Sequence, residues 1–203
     1  MVENKTCYKE KENYITVKAN PSLWKDHANY KIICDTKHLI ENAVCADLGC
    51  NHGSCTILLH DLNPLHVDGY DINNNALQVA QQTSIDYGVS SKTNFIEADL
   101  TDIPVENEQY DIITSFHTLE HIYECDCNIV VKEMHRILKP LGYVLISIPY
   151  KHNYPDPCHV AFYDEITLQN LFEKHNFKTI YCIEDNRWNE KGLLTALFQK
   201  KII

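Results

Sequence analysis

No run of about eighteen consecutive apolar residues occurs in the 203-residue chain, so none of it reads as a membrane-spanning helix. The opening Met1-Val2-Glu3-Asn4-Lys5 lacks the apolar core of a signal peptide, which sets the expectation of a soluble, cytoplasmic protein with no membrane partner. Positive charge is also short. Eighteen Lys and Arg stand against 28 Asp and Glu, a formal charge of -10 that repels phosphate backbones and anionic headgroups and makes nucleic acid an unfavourable partner. There is no C-x-x-C pair: Cys125-Asp126-Cys127 is C-x-C, without a second pair at zinc-finger spacing. Nine cysteines, an odd number with no secretory signal, argue against a disulfide framework and for structural thiols. No internal repeat or low-complexity tract is present.

What is present is an ordinary globular composition, 44% hydrophobic and 23% charged. The expected organisation is a single domain over 1–203, with an N-terminal arm and helix (1–42) covering the site and a core at 43–203. The core opens on Val44-Cys45-Ala46-Asp47-Leu48-Gly49-Cys50-Asn51-His52-Gly53-Ser54-Cys55. An apolar run ends in an acid, then glycines allow a sharp strand-to-helix turn whose backbone N–H groups are expected to stay open for a ligand.

The pattern then repeats. A helix is expected from Ser54 to Leu62, a strand from Leu65 to Asp71, and a helix after the cap cluster Asn73-Asn74-Asn75. Strands follow at Thr93–Asp99, Gln109–Ser115 and Tyr143–Ile148, with a helix through Glu133–Lys139 ended by Pro140-Leu141-Gly142. A helix at Asp164–Phe172 precedes a hairpin of Phe177–Cys182 and Leu194–Lys200. Alternating strands and helices predict an α/β, Rossmann-like, doubly wound sheet of seven strands, mostly parallel with an antiparallel last strand. Ligands on such sheets bind beyond the carboxyl ends of the strands, where Asp47, Asp71, Asp99, Ser115 and Pro149 would fall.

Asp71 lies 22 positions after Gly49, the separation at which a doubly wound site places its ribose-binding carboxylate. Gly49-x-Asn51-x-Gly53 is neither the dinucleotide G-x-G-x-x-G pattern nor a P-loop with its lysine. Acids at successive strand ends repel phosphates yet suit ribose hydroxyls, an exocyclic amine and a cationic sulfonium. The ligand expected from these residues is an adenosine without phosphates.

Asp47 to Gly53, Gly69-Tyr70-Asp71-Ile72, Ala98-Asp99, Tyr110 to His121 and Arg136-Ile137-Leu138-Lys139-Pro140-Leu141-Gly142 together resemble the class I S-adenosylmethionine-dependent methyltransferases, in order from about Val44 to Phe177. The Leu-Glu-His and Arg-x-Leu-Lys-Pro elements are similar to the small-molecule branch that contains ubiquinone-type O-methyltransferases. The resemblance implies S-adenosyl-L-methionine as cofactor, with Asp47, Gly49 and Gly53 shaping the turn around its methionine part. It also implies Asp71 on the ribose, Ile72 at the adenine, Asp99 on the adenine amine, Ser115 and Phe116 bordering the cofactor, and Leu100 among the cofactor-binding residues. Asn51 stands where the family usually has glycine; asparagine tolerates positive φ better than other non-glycine residues, though its side chain would narrow the pocket. The implied reaction is methyl transfer to O or N of a small-molecule acceptor.

Candidate bases are His117, His121 and His159. If His117-x-x-Glu120-His121 begins a helix, its three side chains share one face, and with His159 they form a candidate site for a divalent metal. Terminal small-RNA 2'-O-methyltransferases and some ubiquinone O-methyltransferases have a similar arrangement, with Glu in place of His117; hydrogen-bonded structural or base roles are the other reading. Trp24, His27 and Tyr30 are candidates to close over the site. His38, His60, His66, His135 and His175 show no partner spacing and are expected at the surface. Two further functions remain open: a catalytically silent S-adenosylmethionine-binding subunit or sensor, and a metal-dependent RNA 2'-O-methyltransferase. The sequence leaves the oligomeric state undetermined.

Overall fold

A computed structural model describes residues 25, 27–151, 156–186 and 192–202. Trp24, most of the N-terminal arm and part of the loop after Tyr150 lie outside the described residues. Seven strands form one sheet in the order β3-β2-β1-β4-β5-β7-β6. They are β1 (Val44–Leu48), β2 (His66–Asp71), β3 (Thr93–Glu97), β4 (Tyr110–Phe116), β5 (Leu138–Pro149), β6 (Phe177–Asp185) and β7 (Leu193–Lys200). Strands β1 to β5 pair in parallel; β7 runs antiparallel to both β5 and β6, as the sequence pattern predicts. The chain steps outward from β1 to β2 and β3, then returns to place β4 on the other side of β1. The strand order therefore reverses beside β1, and the crevice at its carboxyl end is the expected ligand position.

Helices α1 (Ala28–Asp35), α2 (Lys37–Ile40), α3 (Ser54–Leu58), α4 (Asn74–Asp86), α5 (Glu124–Ile137) and α6 (Glu165–Glu173) cover the sheet. Three of them show their local cause plainly. Asn73 caps α4 by accepting from the N–H groups of Asn75 and Ala76. Asp164 and Thr167 close a reciprocal capping box at the start of α6. On α5, Cys127, Val130, Val131, Met134 and Ile137 recur at helical spacing and are wholly buried. Farther from the site, Phe172 stacks on Phe198 with ring centroids 4.0 Å apart, and Phe177 meets Phe172 edge-on at 5.4 Å.

Four local expectations change. The first helix breaks at Thr36, whose hydroxyl turns back to the carbonyls of Ile32 and Ile33. Leu138 and Lys139 belong to β5 rather than to the preceding helix, because Leu138 already pairs with Tyr110. The helix after Gly53 tightens into a 3₁₀ turn at Leu59–Leu62. His60, His66, His135 and His175 are half-buried and partnered rather than free surface groups: His60 Nε2 lies 2.7 Å from the Thr93 hydroxyl and burial pushes its pKa down to about 4, His66 meets Asp68 and Asn94, His135 packs edge-on against Phe177, and His175 meets Asn128.

Phe172→Ala removes the stacked ring from a fully buried position and is expected to lower unfolding free energy by about 3–5 kcal/mol. Urea denaturation followed by circular dichroism checks this, and an unchanged midpoint would show that the aromatic cluster does not hold α6 to the sheet.

Candidate functional site

Strand β1 leaves the sheet through a turn with three left-handed residues, Gly49 (φ 78°), Asn51 (φ 48°) and Gly53 (φ 79°). A side chain at Gly49 would overlap Thr118, and one at Gly53 would collide with Ala80 and Phe95, so sterics and φ both select glycine there. Asn51 supplies the remaining positive φ without glycine. The N–H groups of Gly49 and Cys50 donate to the Tyr70 carbonyl at 2.8 and 3.0 Å, and that of Gly53 donates to the Cys50 carbonyl at 2.9 Å. The Asn51 N–H donates to Asp71 Oδ2 at 2.8 Å. This overturns the expectation of open N–H groups at these positions. The turn is held by the chain itself and offers little to an anion.

Beside this turn lies a cavity of about 320 Å³. Of the residues singled out from sequence, Asp47, Gly49, Asn51, Asp71, Ile72, Asp99, Leu100, Phe116, His117 and His121 line it. Gly53, Ser115, Glu120 and His159 do not. Gly53 is consumed in packing, and Ser115, 1% exposed, is directed back into the sheet, where its hydroxyl donates to the Leu48 carbonyl at 3.0 Å. Ser115 therefore does not border the ligand space.

The three acids differ. Asp47 is buried and accepts from Thr56 at 2.7 Å on one oxygen and from Thr114 at 2.9 Å on the other, tying α3 and β4 to β1. Burial pushes its pKa up to about 6 despite those donors. Asp71 accepts one backbone N–H on each oxygen, from Asn51 and from Asn73 (2.9 Å), which fixes the carboxylate and leaves lone pairs for ligand hydroxyls. Burial raises its pKa as well. Asp99 Oδ1 accepts from the Thr101 N–H and hydroxyl, so the loop after β3 is shaped by its own acid.

His117 stands outside the short 3₁₀ turn Leu119–His121, at φ 53°, with its N–H on the Ser147 carbonyl at 2.8 Å. The single helical face expected for His117, Glu120 and His121 is thus not formed. Glu120 is 2% exposed and neither carboxylate oxygen has a hydrogen-bond partner, although His117 Nδ1 approaches Oε1 to 3.3 Å. His121 Nδ1 lies 3.0 Å from the Cys158 carbonyl; a carbonyl only accepts, so the proton sits on Nδ1 and the lone pair on Nε2. Burial lowers the His121 pKa, which favours the neutral ring. His159 lies edge-on to His121 at 4.8 Å, and ligand atoms of Glu120, His121 and His159 lie within 4.8 Å of one another. The candidate metal set is therefore this trio, with His117 standing off it.

His27 meets His117 edge-on at 6.2 Å, whereas the Tyr30 hydroxyl donates to Asp61 and Tyr30 does not line the cavity. Sequence reasoning missed Asn29, His52, Thr101, Thr118 and Asp126, all on the cavity wall. Asn29 had a readable signal, a polar residue on the same helical stripe as Ile32 and Ile33. Thr118 had none, since its position follows from the close approach of the β4 loop to Gly49.

Fold and cavity together define an α/β protein with a carboxylate-lined cavity at the ends of its parallel strands. A family model described as a methyltransferase domain matches residues 46–146, about half of the chain. Sterol 4-C-methyltransferase strm-1 of Caenorhabditis elegans is 27% identical over 139 residues, covering 68% of this chain and 40% of the relative. Demethylmenaquinone methyltransferase of Bacteroides fragilis is 27% identical over 135 residues, covering 64% of this chain and 54% of the relative. The chain thus spans about half the length of these curated relatives. Among solved structures, an S-adenosylmethionine-dependent methyltransferase from Methanosarcina mazei superposes with a TM-score of 0.72 at 19% identity, covering 84% of this chain and 98% of that one. The chain belongs to the class I S-adenosylmethionine-dependent methyltransferases, a family of enzymes.

Asp47 gives a pH test. Its folded pKa, about 6, lies above the ordinary carboxylate value of 3.8, so its ionisation opposes folding. The stability advantage of wild type over the non-titrating Asp47→Asn variant is expected to be largest below pH 3.8 and to shrink by about 3 kcal/mol as pH rises from there through 6. Urea unfolding of both proteins across that range measures it, and a pH-independent difference would show that Asp47 is not held in so dry a site.

Proposed function

We propose that the chain transfers a methyl group from S-adenosylmethionine to a small-molecule acceptor. One juxtaposition carries the reading: a glycine turn whose N–H groups are satisfied internally, directly beside the carboxylates of Asp71 and Asp99. Such a turn offers a pyrophosphate none of the N–H groups of Gly49, Cys50, Asn51 or Gly53 and sets two repelling carboxylates beside it, while a ribose finds in Asp71 an acceptor already fixed by backbone N–H bonds. Ile72 and Leu100 add apolar surface for a flat base. The residues therefore suit a phosphate-free, cationic adenosine ligand.

When bound, S-adenosylmethionine supplies an activated sulfonium methyl; the chain's residues align the partners, exclude water and remove a proton. His121 is the base best prepared for that step, because its neutral ring carries the lone pair on Nε2 and lines the cavity. His117 lines the same wall. The acceptor atom is O, N or C: the sequence points to O or N, the name of the sterol 4-C-methyltransferase relative adds carbon, and proton removal serves all three. The compartment we assign is the cytoplasm, in keeping with free thiols at every described cysteine.

A second reading concerns metal. The Glu120 carboxylate, buried without a hydrogen-bond partner, fits a site for a divalent ion completed by His121 and His159, with donors that suit zinc or iron. A bound ion there would supply Lewis acidity beside the acceptor.

Two measurements separate these readings. With a panel of small acceptors, S-adenosylhomocysteine formation is expected, and His121→Ala is expected to reduce it about 10²- to 10⁴-fold while leaving cofactor affinity unchanged. Tight cofactor binding without turnover on any acceptor would favour a silent binding subunit. Metal analysis of protein prepared under metal-replete conditions yields near-stoichiometric ion if the trio is a metal site; its absence leaves His121 as a base.

A further inference from the structure

We propose that Asn29 anchors the amino-acid end of the cofactor. The inference rests on the cofactor reading above and adds a residue outside the family-matched segment of 46–146. Asn29 occupies the first turn of α1, the helix that packs on α3 where α3 leaves the glycine turn. It is 1% exposed, and neither Oδ1 nor Nδ2 of its side chain has a hydrogen-bond partner among the described residues. Its backbone is already engaged: the Asn29 N–H donates to His27 Nδ1 at 3.3 Å. Asn29 nevertheless lines the same cavity as Gly49, Asp71 and Asp99. A buried primary amide with both ends unmet is unfavourable unless a ligand meets them.

The rest of the wall says which ligand group that is. Ribose and adenine are provided for by Asp71 and Asp99. The carboxylate of the amino-acid end is not, because the N–H groups of Gly49, Cys50, Asn51 and Gly53 are all spent within the chain. Among the described lining residues there is no Lys or Arg to pair with it. An amide can donate to a carboxylate through Nδ2 and accept from an ammonium through Oδ1, so one uncharged side chain complements both ends of a zwitterion. Asn51 Oδ1, also buried without a partner, offers the ammonium a second acceptor from the turn itself.

Calorimetry with S-adenosylhomocysteine and with 5'-methylthioadenosine, which lacks the amino-acid end, tests the assignment. Asn29→Leu is expected to weaken S-adenosylhomocysteine binding by about tenfold or more while leaving methylthioadenosine affinity within about twofold. Asn29→Asp, nearly isosteric and repelling a carboxylate, should show the same selective loss and serves if the leucine variant does not fold. Equal weakening of both ligands would make Asn29 a structural residue, and no change in either would remove it from the site; each overturns the proposal. If wild type binds both ligands equally well, the amino-acid end is not read and the proposal falls while the cofactor reading stands. If wild type binds neither, the cofactor reading itself falls.

Discussion

The hydrogen bond from the Asn51 N–H to the Asp71 carboxylate is the constraint on which the rest of the site depends. It joins the turn after β1 to the end of β2 and uses a donor that would otherwise point at the ligand. It also orients the acid that faces the ligand. With Gly49 and Cys50 bound to the Tyr70 carbonyl, two neighbouring strand ends become one rigid wall. Rigidity there decides chemistry: a wall with few donors and fixed acceptors takes hydroxyls and cations and turns away phosphates.

The acids around that wall divide their work by depth. Asp47, buried and saturated by two threonine hydroxyls, is a structural tie that holds α3 and β4 against β1. Asp71 faces both ways, bracing backbone on one side and lining the cavity on the other. Asp99 shapes its own loop through Thr101 and lines the cavity as well. The histidines form a second wall. His121 has a defined tautomer because a backbone carbonyl fixes it, and the Glu120 carboxyl group lies buried with no hydrogen-bond partner.

Much of the fold was legible because its signals are local. Alternating apolar runs and capped helices give the strand order's parallel half, and Asn73 and Asp164 mark helix starts by their own side chains. The carboxylates at strand ends were legible from the same register, since an acid closing an apolar strand has few places to go. What escaped was decided by contacts distant in sequence. Whether the turn's N–H groups are open depends on Tyr70 and Asp71, some twenty residues on. Ser115 looked like a rim residue until the Leu48 carbonyl claimed its hydroxyl. His117 was expected on a helix with Glu120, but its left-handed backbone lies before the 3₁₀ turn. Asn51, the one departure from the family pattern, keeps the backbone that glycine would have supplied.

The measurement that bears most directly on this wall is calorimetric binding of S-adenosylhomocysteine to wild type and to Asp71→Ala. Loss of the ribose acceptor and of the brace on Asn51 predicts a weakening of roughly 1.5–3 kcal/mol, about 10- to 150-fold. An affinity equal to wild type would contradict the assignment of Asp71 and, with it, the reading of this turn as a nucleoside wall.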